Sequence, residues 1–204
     1  MLDRFKNKFK LDLDVSLGQK IEIQHYFPSE LIDIFEEYGG CSIENGLYRF
    51  HTFKSSEEWA LIITEYFEKY KKLIYPFGFD WMGRQFCFCP YNDLIYMFDP
   101  ATGGDYELKQ HPFLLHDDDF VNDTEDMLSA NLFAKVLKYN KMSSIPFNEC
   151  LGYKLPLFLG GKDEIENYEL QDMEVYWHID SQLYKQAKEL PPGTKIENIR
   201  IDKK

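Results

Sequence analysis

The fourteen residues NECLGYKLPLFLGG, Asn148 to Gly161, constrain the fold more than any other stretch of the chain. A Gly-Tyr step (Gly152, Tyr153), a proline inside an apolar run (Pro156) and a double glycine (Gly160, Gly161) follow one another without a break. Pro156 lacks the N–H that a helix interior or a central strand requires. The run LPLFL therefore reads as a short edge strand or a buried extended segment. Gly160 and Gly161 permit positive φ, so the chain can turn sharply into KDEIEN. The content of the stretch is architectural.

The segments before it alternate between helical and extended patterns. KLDLDV and KIEIQHYF read as two short strands around a Ser-Leu-Gly turn, or the first belongs to an amphipathic arm. PSELIDIFEEYGG reads as a helix opened by Pro28, with Leu31, Ile34 and Phe35 on one face and Gly39-Gly40 as its stop. NGLYRFHTF begins with a turn signal and reads as a strand. Ser55 or Ser56 is the expected cap of a helix over EEWALIITEYFEKYKKL, which ends in lysines. After Pro76, three extended segments (FDWMGRQFCFCP, LIYMFDP and DYELKQHPFLL) joined by short turns predict an antiparallel meander. Residues 120–139 read as helical, with Asn122, Asp123 or Thr124 as caps, and a last helix is expected over 173–189. The tail GTKIENIRIDKK is a final strand or a loose end. A single domain over 1–204 is expected, with 1–20 as an N-terminal arm and 190–204 as a tail.

Composition narrows the classes. The chain has 204 residues, 17% of them aromatic, and a formal net charge of −12. Aromatics in that proportion suit a sheet covered by helices, or a protein-binding surface. The charge does not supply the clustered Lys and Arg that phosphate contacts need, and it favours basic partners. No apolar run is long enough to span a membrane, and MLDRFKNKFKLDLD has no secretory h-region. Cys41, Cys87, Cys89 and Cys150 do not space as a disulfide framework, so a cytoplasmic chain with reduced thiols is expected.

Candidate chemistry is sparse. HDDDFVNDTED, His116 to Asp126, is the densest acidic patch, and no Lys or Arg lies between Lys109 and Lys135. Asp117, Asp118, Asp119, Asp123, Glu125 and Asp126 are the candidate partner-binding residues, on charge alone. The same patch is readable as a solvated loop with helix caps, or as a hard-cation site, although it lacks the ligand alternation and central Gly of a calcium loop. Cys87 and Cys89 sit two apart in a predicted strand and so share a face, where zinc usually takes a Cys-x-x-Cys turn. Cys150 beside Glu149, with His178 or His111 brought near by folding, is a conceivable nucleophile and base, but a lone Cys among apolar residues reads as core. His25 and His51 read the same way, as packed or surface histidines. Gly103-Gly104 lacks both phosphate-loop patterns and reads as a hairpin turn. No metal, cofactor or catalytic centre is expected.

The order of these elements resembles the SUKH superfamily, named for a yeast cell-wall-synthesis regulator and its bacterial relatives. PSELIDIFEEYGG is similar to that family's opening helix, NGLYRF to the segment after it, and FCFCPYNDLIYMFDPATGG to its central strands. NECLGYKLPLFLGGKDEIENYELQDMEVYWHIDSQL is similar to the C-terminal region of bacterial immunity proteins against secreted DNase toxins. The resemblance implies an α+β fold with a mostly antiparallel sheet flanked by helices. It also implies a non-catalytic cytoplasmic protein that neutralises a cognate toxin, usually a nuclease, and it carries over no binding residue. A small metal-dependent hydrolase using the patch from His116 to Asp119, a cysteine hydrolase using Cys150, and a regulatory scaffold for a host protein are the alternatives.

Overall fold

A computed structural model describes residues 2–12, 27–108, 111–191, 194 and 201. Helix α1 (Asp3–Lys8) is followed by α2 (Ser29–Tyr38), strands β1 (Ser42–Ile43) and β2 (Tyr48–Phe50), and helix α3 (Phe53–Tyr66). Strands β3 (Tyr75–Asp80), β4 (Gln85–Cys89), β5 (Leu94–Asp99) and β6 (Gly104–Leu108) come next. A run of short helices follows: α4 (Pro112–Leu114), a π-turn (Leu115–Asp119), α5 (Phe120–Asn122), α6 (Thr124–Leu128) and α7 (Ala130–Tyr139). Strands β7 (Glu149–Tyr153) and β8 (Tyr168–Asp172) lead into α8 (Met173–Ala187).

The first six strands form one antiparallel sheet in sequence order, and β7 and β8 form a separate antiparallel pair. The α+β expectation is met. The meander follows from strands that each find their partner one short turn away. β4 shows why helices cover both faces. Phe86 and Phe88 join one core with α1, α2 and α4–α7, while Cys87 and Cys89 join a second core with α3 and α8. Alternation along one strand thus feeds two apolar layers. A register shift between Pro76 and Gly78 opens a bulge at Phe77, which turns that ring to the first core while Phe79 stays in the second.

Several local expectations are corrected. The cap of α3 is Thr52 and not Ser55 or Ser56. Thr52 Oγ1 accepts from Ser55 N, and Ser55 Oγ accepts from Thr52 N, which closes a capping box. That helix stops at Tyr66, so its lysines fall in a 3-10 turn and the loop after it. HPFLL leaves the sheet. His111 Nδ1 accepts from Phe113 N and Pro112 takes the first helical position, so the chain starts a helix there. LPLFL is neither strand nor extended. Leu157–Leu159 form a 3-10 turn after Pro156, and the strand of this region is the ECLGY that precedes it. Phe158 N donates to Ala101 O (3.2 Å), which docks this turn on the β5–β6 hairpin. Gly160 leaves it with φ 88. At the hairpin, Gly103 has φ 68, and a Cβ there would lie 2.2 Å from the Tyr184 ring. The strands read over KLDLDV and KIEIQHYF fall mostly outside the described residues, as do His25 and most of the tail. Leu11 makes one bridge to Ile43.

Arg49 joins the two sheets. It is fully buried on β2. Nη2 donates to Asp80 O (2.8 Å) at the end of β3, and Nη1 donates to Pro146 O (3.0 Å), Phe147 O (3.1 Å) and Glu149 O (2.5 Å) at the entry to β7. Its guanidinium lies 4.6 Å from the Phe79 ring centroid. Burial lowers its pKa to about 10, still far above neutrality. Arg49→Met takes a donor away from four backbone carbonyls and the packing from the Phe79 ring, and is expected to cost about 3 kcal/mol in urea unfolding. A loss below about 0.5 kcal/mol, the range of ordinary surface substitutions, would contradict this role.

Asp180 on α8 is the opposite case, a buried carboxyl whose Oδ2 has no hydrogen-bond partner. Burial, reinforced by Asp99 and opposed by Tyr176, pushes its pKa up to about 8. A folded pKa above the unfolded one makes its contribution most favourable below pH ~4 and removes it as pH rises through about 8. Asp180→Asn is therefore expected to stabilise the fold on the order of 2 kcal/mol at high pH and to change little at low pH. Thermal midpoints compared on either side of that window check the difference.

Candidate protein-binding surface

The acidic segment is helical, not a loop. Helix α4, the π-turn and α5 run on from Pro112 to Asn122, and the π-turn places His116 inward and three aspartates at the surface. His116 is fully buried. Its Nδ1 lies 2.6 Å from Pro112 O and its Nε2 lies 3.0 Å from Tyr48 Oη. An Nδ1–H tautomer satisfies both, donating to the carbonyl and accepting from the phenol. The ring stacks on Phe50 at 5.0 Å and meets Phe5, Phe77 and Phe120 edge-on. Burial pushes its pKa down to about 4, so the side chain under the acidic surface is neutral.

Above it, the six candidate acids divide into three kinds. Two are held by helix α1. Phe5 is buried beside His116, Tyr38 and Phe50, which seats α1 against the π-turn. Asp117 Oδ1 accepts from Phe5 N (2.9 Å). Asp118 Oδ1 accepts from Arg4 Nη1 (2.5 Å) and from Asn122 Nδ2 (2.6 Å), while Arg4 Nη2 donates to Asn122 Oδ1 (2.7 Å). Arg4 and Asn122 hold the Asp118 carboxyl below its usual value. Lys8 Nζ donates to Val121 O. Glu125 is a local brace, accepting from Asn131 N (2.8 Å). Asp119, Asp123 and Asp126 have no side-chain hydrogen bond or ion pair among the described residues. Partial burial and the charges of Asp118 and Asp123 hold the Asp119 carboxyl above its usual value. A cation brought to this surface relieves that repulsion.

Asn122, Asp123 and Thr124 do not cap by side chain. Asp123 occupies the cap position of α6 without a side-chain bond, and Thr124 Oγ1 donates back to Phe120 O (2.6 Å). The residues that sequence reasoning missed are Arg4 and Phe5. The alternation of basic and aromatic residues in DRFKNKF carried the signal, but nothing in it named the surface it would cover.

The other candidates are buried or, for His111 and His178, half-buried. All four cysteines are free and buried. Burial raises the Cys150 thiol pKa well above its ordinary value, which disfavours the nucleophilic thiolate. Cys87 and Cys89 do share a face, in the second core. His51 is buried between Ser55 and Gln85, and His178 lies 2.7 Å from Gln182 Nε2. Among the described residues, no group of three His, Cys, Asp or Glu side chains is placed to hold a metal ion, and no helix is long and apolar enough to cross a membrane.

Residues 107–184 match the family model described as T6SS immunity protein Tdi1, C-terminal. The match spans β6 to α8, takes in the whole acidic surface, and supports an immunity-protein family. The fold is similar to that in the crystal structure of Atu4351 from Agrobacterium tumefaciens, with a TM-score of 0.66, 17% sequence identity and 89% of each chain covered. At that identity the likeness shows the fold alone. No curated protein matches the chain.

A buried neutral imidazole has a spectroscopic signature. His116 is expected to keep its Nδ1–H tautomer without titrating until pH approaches about 4. With the folded pKa below the unfolded ~6.5, its contribution to stability is complete above that value and falls as pH drops toward about 4. Nitrogen-15 shifts of the ring followed across that range check this. A midpoint near 6.5 would show that the ring is exposed to water.

Proposed function

We propose that this protein is an immunity protein, a non-catalytic cytoplasmic binding protein that neutralises a cognate toxin by covering part of its surface. The observation that carries this reading is the match of residues 107–184 to an immunity-protein model, over the segment that bears the unrelieved acids. The toxin is read as a nuclease with a basic cleft, and the chain as a single SUKH-like domain. Within the acidic surface, Asp119, Asp123 and Asp126 make the contacts with the partner's cations. Asp117, Asp118 and Glu125 shape the surface by holding α1 and α7 in place.

Charge arranged this way acts chiefly on encounter. An acidic patch facing a basic cleft raises the association rate, and salt screens the effect over about 8 Å at physiological ionic strength. The hydrolase readings have less to support them. The Cys150 thiol is buried, and Asp117 already accepts a backbone hydrogen bond from α1. No observation favours the host-protein scaffold over the toxin partner.

The test is to identify the gene product encoded beside this gene and co-express it with the protein, followed by gel filtration of the pair. Protection from killing and a stable complex are expected. Asp123→Lys with Asp126→Lys is expected to weaken the complex about tenfold or more, mostly through the association rate, with little change in stability. Continued killing with no complex would overturn the reading.

A further inference from the structure

Strand β8 closes the small sheet, and the bonds at its two ends fix which of its backbone groups face outward. Met173 N donates to Asn148 O (3.0 Å), and Lys154 N donates to Asn167 O (2.7 Å). In the register that pairs Glu149 with Asp172 and Tyr153 with Tyr168, the odd-numbered residues of β8 therefore bond to β7. The N–H and C=O groups of Tyr168, Leu170 and Asp172 point away from it. The outward N–H groups of β7 are all engaged. Glu149 N donates to Pro146 O, Leu151 N to Trp81 O and Tyr153 N to Tyr176 Oη. On β8, Tyr168 N is engaged by Ile165 O. The Leu170 N–H and C=O and the Asp172 N–H have no partner among the described residues.

The side chains at this open edge are both apolar and acidic. Leu170 is 40% exposed and Val175 54% exposed. Asp172 Oδ1 accepts from Val175 N (2.9 Å), which sets the start of α8 beside the strand. Glu166, Glu169 and Asp172 are exposed, and no Lys or Arg lies between Lys162 and Lys185. Open edges invite pairing with another strand. A second copy of this chain would bring the acids of both copies to one seam, where like charges repel. A strand carrying lysine or arginine meets no such penalty.

We infer that β8 is a docking edge for an extended, Lys- or Arg-bearing segment of the toxin, which adds a third strand to the β7–β8 sheet. The inference rests on the proposed function in taking the toxin as the partner. It adds a second, backbone-mediated contact to the acidic helical surface. Main-chain bonds to Leu170 and Asp172 set the register of the added strand, and Glu166 and Glu169 select its charge.

The test uses the full chain and its toxin in calorimetric titrations. Leu170→Pro removes one outward N–H and leaves the bonds to β7 intact, and Leu170→Val retains that N–H. Leu170→Pro is expected to weaken the complex about tenfold, and Leu170→Val by less than about threefold. Glu169→Lys is expected to weaken it about fivefold with no change in the urea midpoint, and it carries the test if the proline variant does not fold. Wild-type affinity in both Leu170→Pro and Glu169→Lys, alongside a loss in Asp123→Lys/Asp126→Lys, overturns the docking edge and leaves the immunity reading standing. A toxin that binds no form of the protein overturns both. A dimer of the protein alone that Leu170→Pro dissolves assigns the edge to a second copy and overturns the inference.

Discussion

The buried guanidinium of Arg49 is the interaction on which the arrangement of this protein depends. A charge with no water around it must be satisfied by polar groups held in place, and here those groups are carbonyls from two separate regions. One side binds the end of β3. The other binds the chain as it enters β7, and so sets where the second sheet and α8 sit against the first. Asp80 contributes its carbonyl to Arg49, while its carboxylate is taken by the guanidinium and backbone N–H of Arg84 and by Met82 N. The tight turn after β3 is therefore formed by the same residue that anchors Arg49. Trp81 Nε1 extends this joint by donating to Leu128 O (2.8 Å), which ties α6 to it.

Around that joint, aromatic rings fill both faces of the sheet. The layer on the α1 side has its own polar centre in His116, neutral and bonded at both nitrogens. This explains how so acidic a segment can sit on an apolar core. The π-turn buries an imidazole that has no charge to desolvate, and the carboxylates beside it remain at the surface. Helix α1 then neutralises part of that surface from within the chain, through Arg4 and the backbone of Phe5. What remains unrelieved is a smaller, sharper patch than the acidic run as written, centred on Asp119, Asp123 and Asp126.

Much of the fold was legible where one element is determined by its own residues. Helix α2 shows its start at Pro28, its apolar face and its glycine stop, and the meander shows in strands separated by short turns. The departures have two sources, a neighbour distant in sequence and a local cap that outweighs the extended pattern before it. LPLFL folds into a 3-10 turn because Phe158 N reaches Ala101 O, more than fifty residues earlier in the chain. HPFLL carries an extended pattern continued from the strand before it, and the helix start written by His111 and Pro112 outweighs that pattern. The site was half legible. The acids are plain in the sequence, but their division depends on α1, some 110 positions away. The open edge of β8 was not legible at all, because it depends on bonding parity and not on residue type.

On the proposed function, the two surfaces inferred above answer different needs in finding and holding a toxin. Unpaired carboxylates act at long range and speed the encounter, while a strand edge acts only at contact and slows release. The most direct measurement is hydrogen exchange on the protein bound to its cognate toxin, compared with the free protein. Slowed exchange is expected at the amides of residues 119–126, with the buried β4 amides unchanged. Protection confined to α2 and α3, with residues 119–126 exchanging as in the free protein, would contradict it.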